Sequence, residues 1–243
     1  MERPIAYPRI LTAGDAAVVV EFGNEISPEI NARIKTFHDI LKDKKIPGIM
    51  DVIPTFRSVL INYEPAVLLY QDIVISIKET LQESGNVSET KKRIFRIPVC
   101  YGGIYGPDLK DVAEHAGMSE EEVIICHSKE PYLIYMLGFL PGFAYLGGLD
   151  PKLAIPRLQQ PRKRIEAGSV GIGGEQTGIY PLVSPAGWRL IGRTPIKPYD
   201  PDRKIPILYE AGDYIQFDPI TKEEYEIIEK QVAEGTYQCQ IIE

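Results

Sequence analysis

Four arginines, Arg157, Arg162, Arg164 and Arg193, lie near turn signals in a chain of formal net charge −7. A guanidinium is a planar fork that matches a carboxylate or a phosphate through two parallel hydrogen bonds. Two of the four follow proline in similar phrases, Ile155-Pro156-Arg157 and Gln160-Pro161-Arg162. That repetition predicts two extended segments presenting one arginine each. Taken one at a time, a surface or structural role explains each arginine better than a site does. Gln176, Tyr180 and Trp188 could bring an amide, a phenol and an indole to one pocket, although buried Tyr and Trp need polar partners in any fold. His127, one of three histidines, stands just before the first β-rich run and is a candidate for proton transfer. As a lone histidine it is better explained as a satisfied structural residue.

Phe143 and Tyr145 fall in the stretch Leu137-Gly138-Phe139-Leu140-Pro141-Gly142-Phe143-Ala144-Tyr145-Leu146-Gly147-Gly148-Leu149. A core strand does not read like this, because Gly and Pro weaken a ladder. A solvent loop does not either, because it would expose three large rings. The stretch predicts a turn-rich wall with aromatics beneath it and bare backbone above it, open to another chain or a ligand. Pro141-Gly142 is a turn pair. A buried glycine-rich corner without a partner accounts for the same residues.

Several chemistries are excluded by pattern. There is no Cys-x-x-Cys and no paired-histidine spacing on a helix, which argues against zinc. No Gly-x-Ser-x-Gly elbow occurs. Gly168 to Gly174 is glycine-rich, but no helical period follows it, which argues against a dinucleotide fingerprint. Gly187-Trp188-Arg189-Leu190-Ile191-Gly192-Arg193-Thr194 has the spacing of a phosphate loop, with Arg193 in the lysine position. Its middle reads as a strand and Pro195 follows at once, whereas a phosphate loop must open a helix.

The elements that would position these residues fall in two groups. Ala17 to Phe22 reads as a strand after a Gly14-Asp15 turn, and Ser27 with Pro28 starts a helix whose stripe is Ile30, Ile34, Phe37 and Leu41. Ile49 to Ile53 and Ser58 to Tyr63 read as paired strands, Leu68 to Glu83 as a second helix, and Ile94 to Val99 as a fourth strand. The order β-α-β-β-α-β predicts a small split-βαβ, ferredoxin-like sandwich. Ser84 to Thr90 is polar and is the linker candidate, giving expected domains 1–88 and 89–243. Two helices, Pro107 to Ala116 and Ser119 to Ser128, then precede an all-β pattern of short runs between turns, suited to a barrel or sandwich. A closing helix, Lys222 to Glu234, and a last strand, Tyr237 to Ile242, complete an α+β chain.

At 243 residues, 44% hydrophobic and 25% charged, the composition is that of a globular protein with one large domain or two ordinary ones. No apolar run reaches the ~20 residues of a membrane helix. Met1-Glu2-Arg3-Pro4 has no apolar signal region, which predicts a cytoplasmic protein with no membrane partner. Cys100, Cys126 and Cys239 are odd in number and far apart, as free thiols are. The acidic balance argues against nonspecific nucleic-acid binding.

The glycine-aromatic stretch continues into Ile155-Pro156-Arg157, Gln160-Pro161-Arg162, Ala167-Gly168-Ser169-Val170-Gly171-Ile172-Gly173-Gly174, Gln176-Thr177-Gly178-Ile179-Tyr180-Pro181, Ser184-Pro185-Ala186-Gly187-Trp188 and Ile191-Gly192-Arg193-Thr194-Pro195. That ordered set resembles the family holding the B-type subunit of bacterial 5-oxoprolinase and the KipI-type inhibitor of a sporulation histidine kinase, formerly labelled as the first allophanate hydrolase subunit. One departure is Ala186, where the pattern has Gly. The resemblance implies a cyclophilin-like β-barrel in the second domain, with the strand Ile94 to Val99 belonging to it, and a histidine at the position of His127. It further implies ATP-dependent opening of 5-oxo-L-proline to L-glutamate by a complex of A-, B- and C-type subunits. ATP would be used by the complex, since this chain has no phosphate loop. An arginine on the substrate carboxylate and a donor at the lactam oxygen are the expected chemistry. His127 and Arg193 are then the catalytic candidates, and Phe143, Tyr145, Arg157, Arg162, Gln176, Tyr180 and Trp188 the substrate-binding ones. Arg193 ranks first among the arginines because it follows the indole of Trp188 and the Gly192 turn. With no convincing nucleophile and base in this chain, the C-type (KipA-like) partner would complete the site. The alternative is a KipI-like inhibitor of histidine kinase autophosphorylation, antagonised by a KipA-like partner, which would use the same groove.

Overall fold

Val18 and Val20 alternate with Val19 along one strand, so both fall on one face, and that face is fully buried. This strand belongs to the first of two units, Met1–Thr90 and Lys91–Glu243, of a computed structural model that describes residues 6–85 and 93–242. The first unit runs β1 (Arg9–Thr12), β2 (Ala17–Glu21), α1 (Pro28–Asp43), β3 (Ile49–Pro54), β4 (Ser58–Tyr63) and α2 (Tyr70–Glu83). Its sheet order is β1-β2-β4-β3, antiparallel throughout. Ser27 caps α1 by accepting from the Ile30 amide, and Pro28 opens the helix. Ile34, Phe37 and Leu41 of α1 and Ile73 and Ile77 of α2 meet Val18, Val20, Val59 and Ile61 of the sheet in one core.

The expected β-α-β-β-α-β order is corrected here. Ile94 to Val99 takes no place in this sheet, and the edge beside β2 is filled by β1. The Gly14 turn, at φ 68°, joins β1 to β2 as a local hairpin, and Arg9 pairs across it with Glu21 in both register and charge. A hairpin closes a far shorter loop than a strand returning after α2, so it costs less chain entropy.

The second unit contains β5 (Ile94–Tyr101), α3 (Leu109–Ala116), α4 (Glu120–Ser128), β6 (Tyr132–Leu137), β7 (Ala144–Gly147), β8 (Arg162–Ile165), β9 (Ser169–Gly173), β10 (Gln176–Ile179), β11 (Ser184–Ala186), β12 (Arg189–Arg193), β13 (Tyr214–Pro219), α5 (Lys222–Ala233) and β14 (Gln240–Ile242). Seven strands close a barrel in the order β12-β9-β10-β7-β6-β13-β5, with β5 returning to β12 at Tyr101↔Gly192 and Cys100↔Arg193. Strands β5 and β13 are parallel neighbours in the ring, and β14 adds to the first half of β5. Strands β8 and β11 form a separate ribbon. Ile97, Val99, Ile134, Leu146, Val170, Ile172, Ile179, Ile191, Ile215 and Phe217 fill the interior. Ser119 and Glu122 make a reciprocal capping box on α4.

Part of the glycine-aromatic stretch is a core strand after all, since Ala144–Gly147 is β7 of the barrel. The reason lies across the sheet. A Cβ on Gly147 would stand 2.0 Å from the Tyr135 ring, so the strand carries glycine to let that ring lie against it. The rest is the expected turn, with the Phe143 amide donating to the Leu140 carbonyl at 3.0 Å and Gly142 at φ 79°. The phosphate-loop spacing at Gly187 to Thr194 is strand β12, as its sequence predicts. No helix among the described residues is long and apolar enough to cross a membrane, and no cluster among them could hold a metal ion.

Candidate functional site

Phe143 is the hub of a second, smaller aromatic core at one side of the barrel. Its ring meets Tyr145 at 5.0 Å, Tyr180 at 5.2 Å, Phe139 at 5.5 Å and Trp188 at 5.7 Å, each edge to face. Such pairs set ring orientation as well as burial, so this floor is rigid. Trp188 lies where a Cβ on Gly173 would stand 2.3–2.5 Å from its indole, so glycine at 173 makes the seat. Above the floor opens a pocket of about 480 Å³, walled by the 139–143 turn, the Arg157 to Pro161 loop and β11.

Five of the expected site residues, Phe143, Tyr145, Arg157, Tyr180 and Trp188, line this pocket together. The Arg157 Cζ lies 5.8 Å from the Trp188 ring, over its face. Arg157 is exposed and has no hydrogen-bonding or ion-pair partner among the described residues, so its donors are free. Burial pushes the Tyr180 phenol up to about 12, against the opposing charge of Arg157 and the Trp188 amide, so it stays a neutral hydroxyl.

The other candidates lie elsewhere. Arg162 Nη2 donates to Asp108 Oδ1 at 2.6 Å, and Asp108 Oδ2 accepts the Leu190 amide at 2.7 Å, so this arginine ties the β8 ribbon to the start of α3 and to β12. Arg164 pairs with Glu166 at the surface. Arg193 lies over the Tyr105 ring at 5.7 Å and close to Tyr225 of α5, away from the pocket lining. Gln176 sits at the β9–β10 hairpin, opposite Gly173, and does not line the pocket either. The two arginines in matching Pro-Arg phrases therefore divide, with Arg157 open to the pocket and Arg162 spent on a tie.

His127 is fully buried among Tyr101, Tyr132 and Phe217. Its Nδ1 lies 2.8 Å from the Tyr101 hydroxyl and its Nε2 2.8 Å from Thr177 Oγ1. Thr177 donates its hydrogen to the Gly171 carbonyl at 3.0 Å, so it can only accept from the imidazole. The ring therefore carries its proton on Nε2, and Nδ1 accepts from Tyr101. Burial pushes its pKa from 6.5 down to about 3, which keeps it neutral. The pair with Thr177 has the spacing of a hydroxyl and its base, but it is sealed and the imidazole is the donor in it. Burial likewise raises all three thiols above their ordinary values, so none is an activated thiolate.

Ser184 and Phe139 are pocket residues that a reading of residue types misses. Ser184 lines the pocket with a buried Oγ that has no partner among the described residues. Phe139 is 63% exposed at the rim and holds φ 63°, a left-handed conformation that is costly for a ring-bearing residue. The phrase Ser184-Pro185-Ala186 could have flagged the first, but nothing local marks its hydroxyl as unspent.

The chain is an α+β protein whose second unit is a closed seven-stranded barrel with this aromatic pocket at its side. Its residues 8–209 match the family described as carboxyltransferase domain, subdomain C and D. The 5-oxoprolinase B subunit of Bacillus subtilis (strain 168) is 39% identical over 222 residues, spanning 87% of this chain and 92% of its own. The Escherichia coli O157:H7 protein of the same name is 40% identical over 211 residues, spanning 87% and 95%. A crystal structure of TTHA0988 superposes with a TM-score of 0.76 at 35% identity over 84% of this chain, and this chain spans 40% of that longer one. The chain therefore belongs to the family of carboxyltransferase subdomains C and D, within its 5-oxoprolinase B-type branch.

Proposed function

We propose that this chain is the B-type subunit of an ATP-dependent 5-oxoprolinase, acting with A- and C-type subunits to open 5-oxo-L-proline to L-glutamate. The observation that carries the reading is the guanidinium of Arg157, without a hydrogen-bonding or ion-pair partner among the described residues, held over an aromatic pocket. A lactam acid has an anionic end for that fork and an apolar ring for the aromatic floor. The named relatives, similar over nearly their whole length, support the same assignment. A lactam is a poor electrophile, which is why its opening is coupled to ATP, and the complex rather than this chain supplies that step. The groups that resemble a nucleophile and its base here, Thr177 and His127, are sealed and wrongly protonated for the task. The chain is accordingly a non-autonomous subunit, and a partner completes the site beside the pocket of its cyclophilin-like barrel.

A second reading keeps the pocket and changes its occupant to a protein segment, as in a KipI-like kinase inhibitor. The exposed, strained Phe139 at the rim favours it, since a protruding ring suits a protein surface. The test is co-expression with the A- and C-type subunits, followed by 5-oxoproline-dependent ATP hydrolysis. Activity is expected from the complex and none from this chain alone. A complex without lactam-dependent hydrolysis would overturn the enzyme reading, and robust turnover by the isolated chain would overturn its dependence on partners.

A further inference from the structure

Ser184 is 7% exposed, and its Oγ is buried without a partner among the described residues, in the wall of the aromatic pocket. In β11 the burial alternates, with Ser184 in, Pro185 out and Ala186 in. Ser184 thus shares the face on which Ala186 joins Phe143, Tyr180 and Trp188 in the pocket floor. The oxygen nearest in kind, the Tyr180 phenol, accepts the Trp188 amide, and no bond joins it to Ser184 among the described residues. A buried polar group left unpaired by its own fold is uncommon, and in the wall of a pocket a ligand can supply its partner. Arg157, also in the lining, has donors with no partner among the described residues.

A charged fork, the Ser184 hydroxyl and the Tyr145 and Tyr180 phenols around an aromatic floor fit a ligand with one anionic end, an apolar ring and one neutral hydrogen-bonding edge. At about 480 Å³ the pocket is much larger than a small lactam, so its polar groups rather than its shape must orient such a ligand. Building on the lactam reading of this pocket, we propose that Ser184 is a specificity-determining residue that hydrogen-bonds the amide edge of the ring while Arg157 holds the carboxylate. A site built to hydrogen-bond its substrate rejects an analogue that lacks the bonding group far better than a shape-matched apolar site does.

The experiment compares the assembled complex carrying the native chain or Ser184→Ala, with two ligands. One is 5-oxoproline, read as KM in lactam-dependent ATP hydrolysis. The other is cyclopentanecarboxylate, which keeps the ring and carboxylate but has no amide, read as Ki in the same assay. Ser184→Ala is expected to raise KM roughly tenfold and to leave Ki unchanged. The melting temperature of the variant chain is expected to hold or rise, because an unpaired buried hydroxyl is removed. KM and Ki that rise together, or neither rising, would overturn the role of Ser184 while the active native complex keeps the lactam reading. A melting temperature that falls with unchanged KM would mark the hydroxyl as structural and overturn it too. A native complex with no lactam-dependent hydrolysis would remove the reading and Ser184 with it.

Discussion

The neutral imidazole of His127 makes folding sensitive to acid in a way that can be separated from every other group. Its folded pKa, about 3, lies below the ordinary 6.5, so the unfolded chain takes up the proton first as pH falls. The stability is fully present above about pH 6.5 and is lost progressively toward pH 3, at up to about 1.4 kcal/mol per pH unit. Tyr101 and Tyr132, which face the ring, are themselves raised by burial and stay neutral throughout. Between pH 7 and pH 5 the native chain should lose about 2 kcal/mol more than His127→Gln, measured as urea unfolding at each pH. Equal losses in the two proteins would mean that His127 is not held neutral. At this scale residue types were informative and roles were not. His127, Arg157 and Arg162 were all visible as candidates. What separates them is a partner far away in sequence, Thr177 for the histidine and Asp108 for Arg162, and none among the described residues for Arg157.

Elements explain why one arginine of a matched pair is spent and the other is free. Arg162 lies on β8, and its contact with Asp108 joins that ribbon to the start of α3, while Asp108 also holds the Leu190 amide of β12. Asp108 is almost fully buried, so Arg162→Ala leaves its charge with one backbone donor. That variant should cost about 2 kcal/mol, a fall of roughly 4–8 °C in melting temperature, with KM for the lactam unchanged. A stable variant with a raised KM would return Arg162 to the site. Helix starts were legible because their chemistry is local, as with Ser27-Pro28 and Ser119 with Glu122. Strand β7 was not, because its glycine answers to the Tyr135 ring on the neighbouring strand and not to its own sequence neighbours. The short ribbon strands β8 and β11 lie among prolines and carry too few residues for a period of two to show. The edge taken by β1 was missed for a similar reason, since four residues make a weak signal.

For the whole molecule, the barrel unit brings the aromatic floor, Arg157 and Ser184 to one pocket and leaves Arg193, the first choice from sequence, packed against Tyr105 and Tyr225. The assignment of this pocket to 5-oxoproline therefore stands on one guanidinium. Arg157→Lys keeps the charge, and with it a cation that can lie over the Trp188 ring, while removing the planar fork. The most direct test is the KM for 5-oxoproline of the assembled complex carrying Arg157→Lys, with the melting temperature of the variant chain measured alongside. Loss of a charge-assisted contact of about 1.5–3 kcal/mol predicts a KM raised roughly tenfold or more at an unchanged melting temperature. An unchanged KM in a well-folded Arg157→Lys complex would contradict the assignment of this pocket to the substrate.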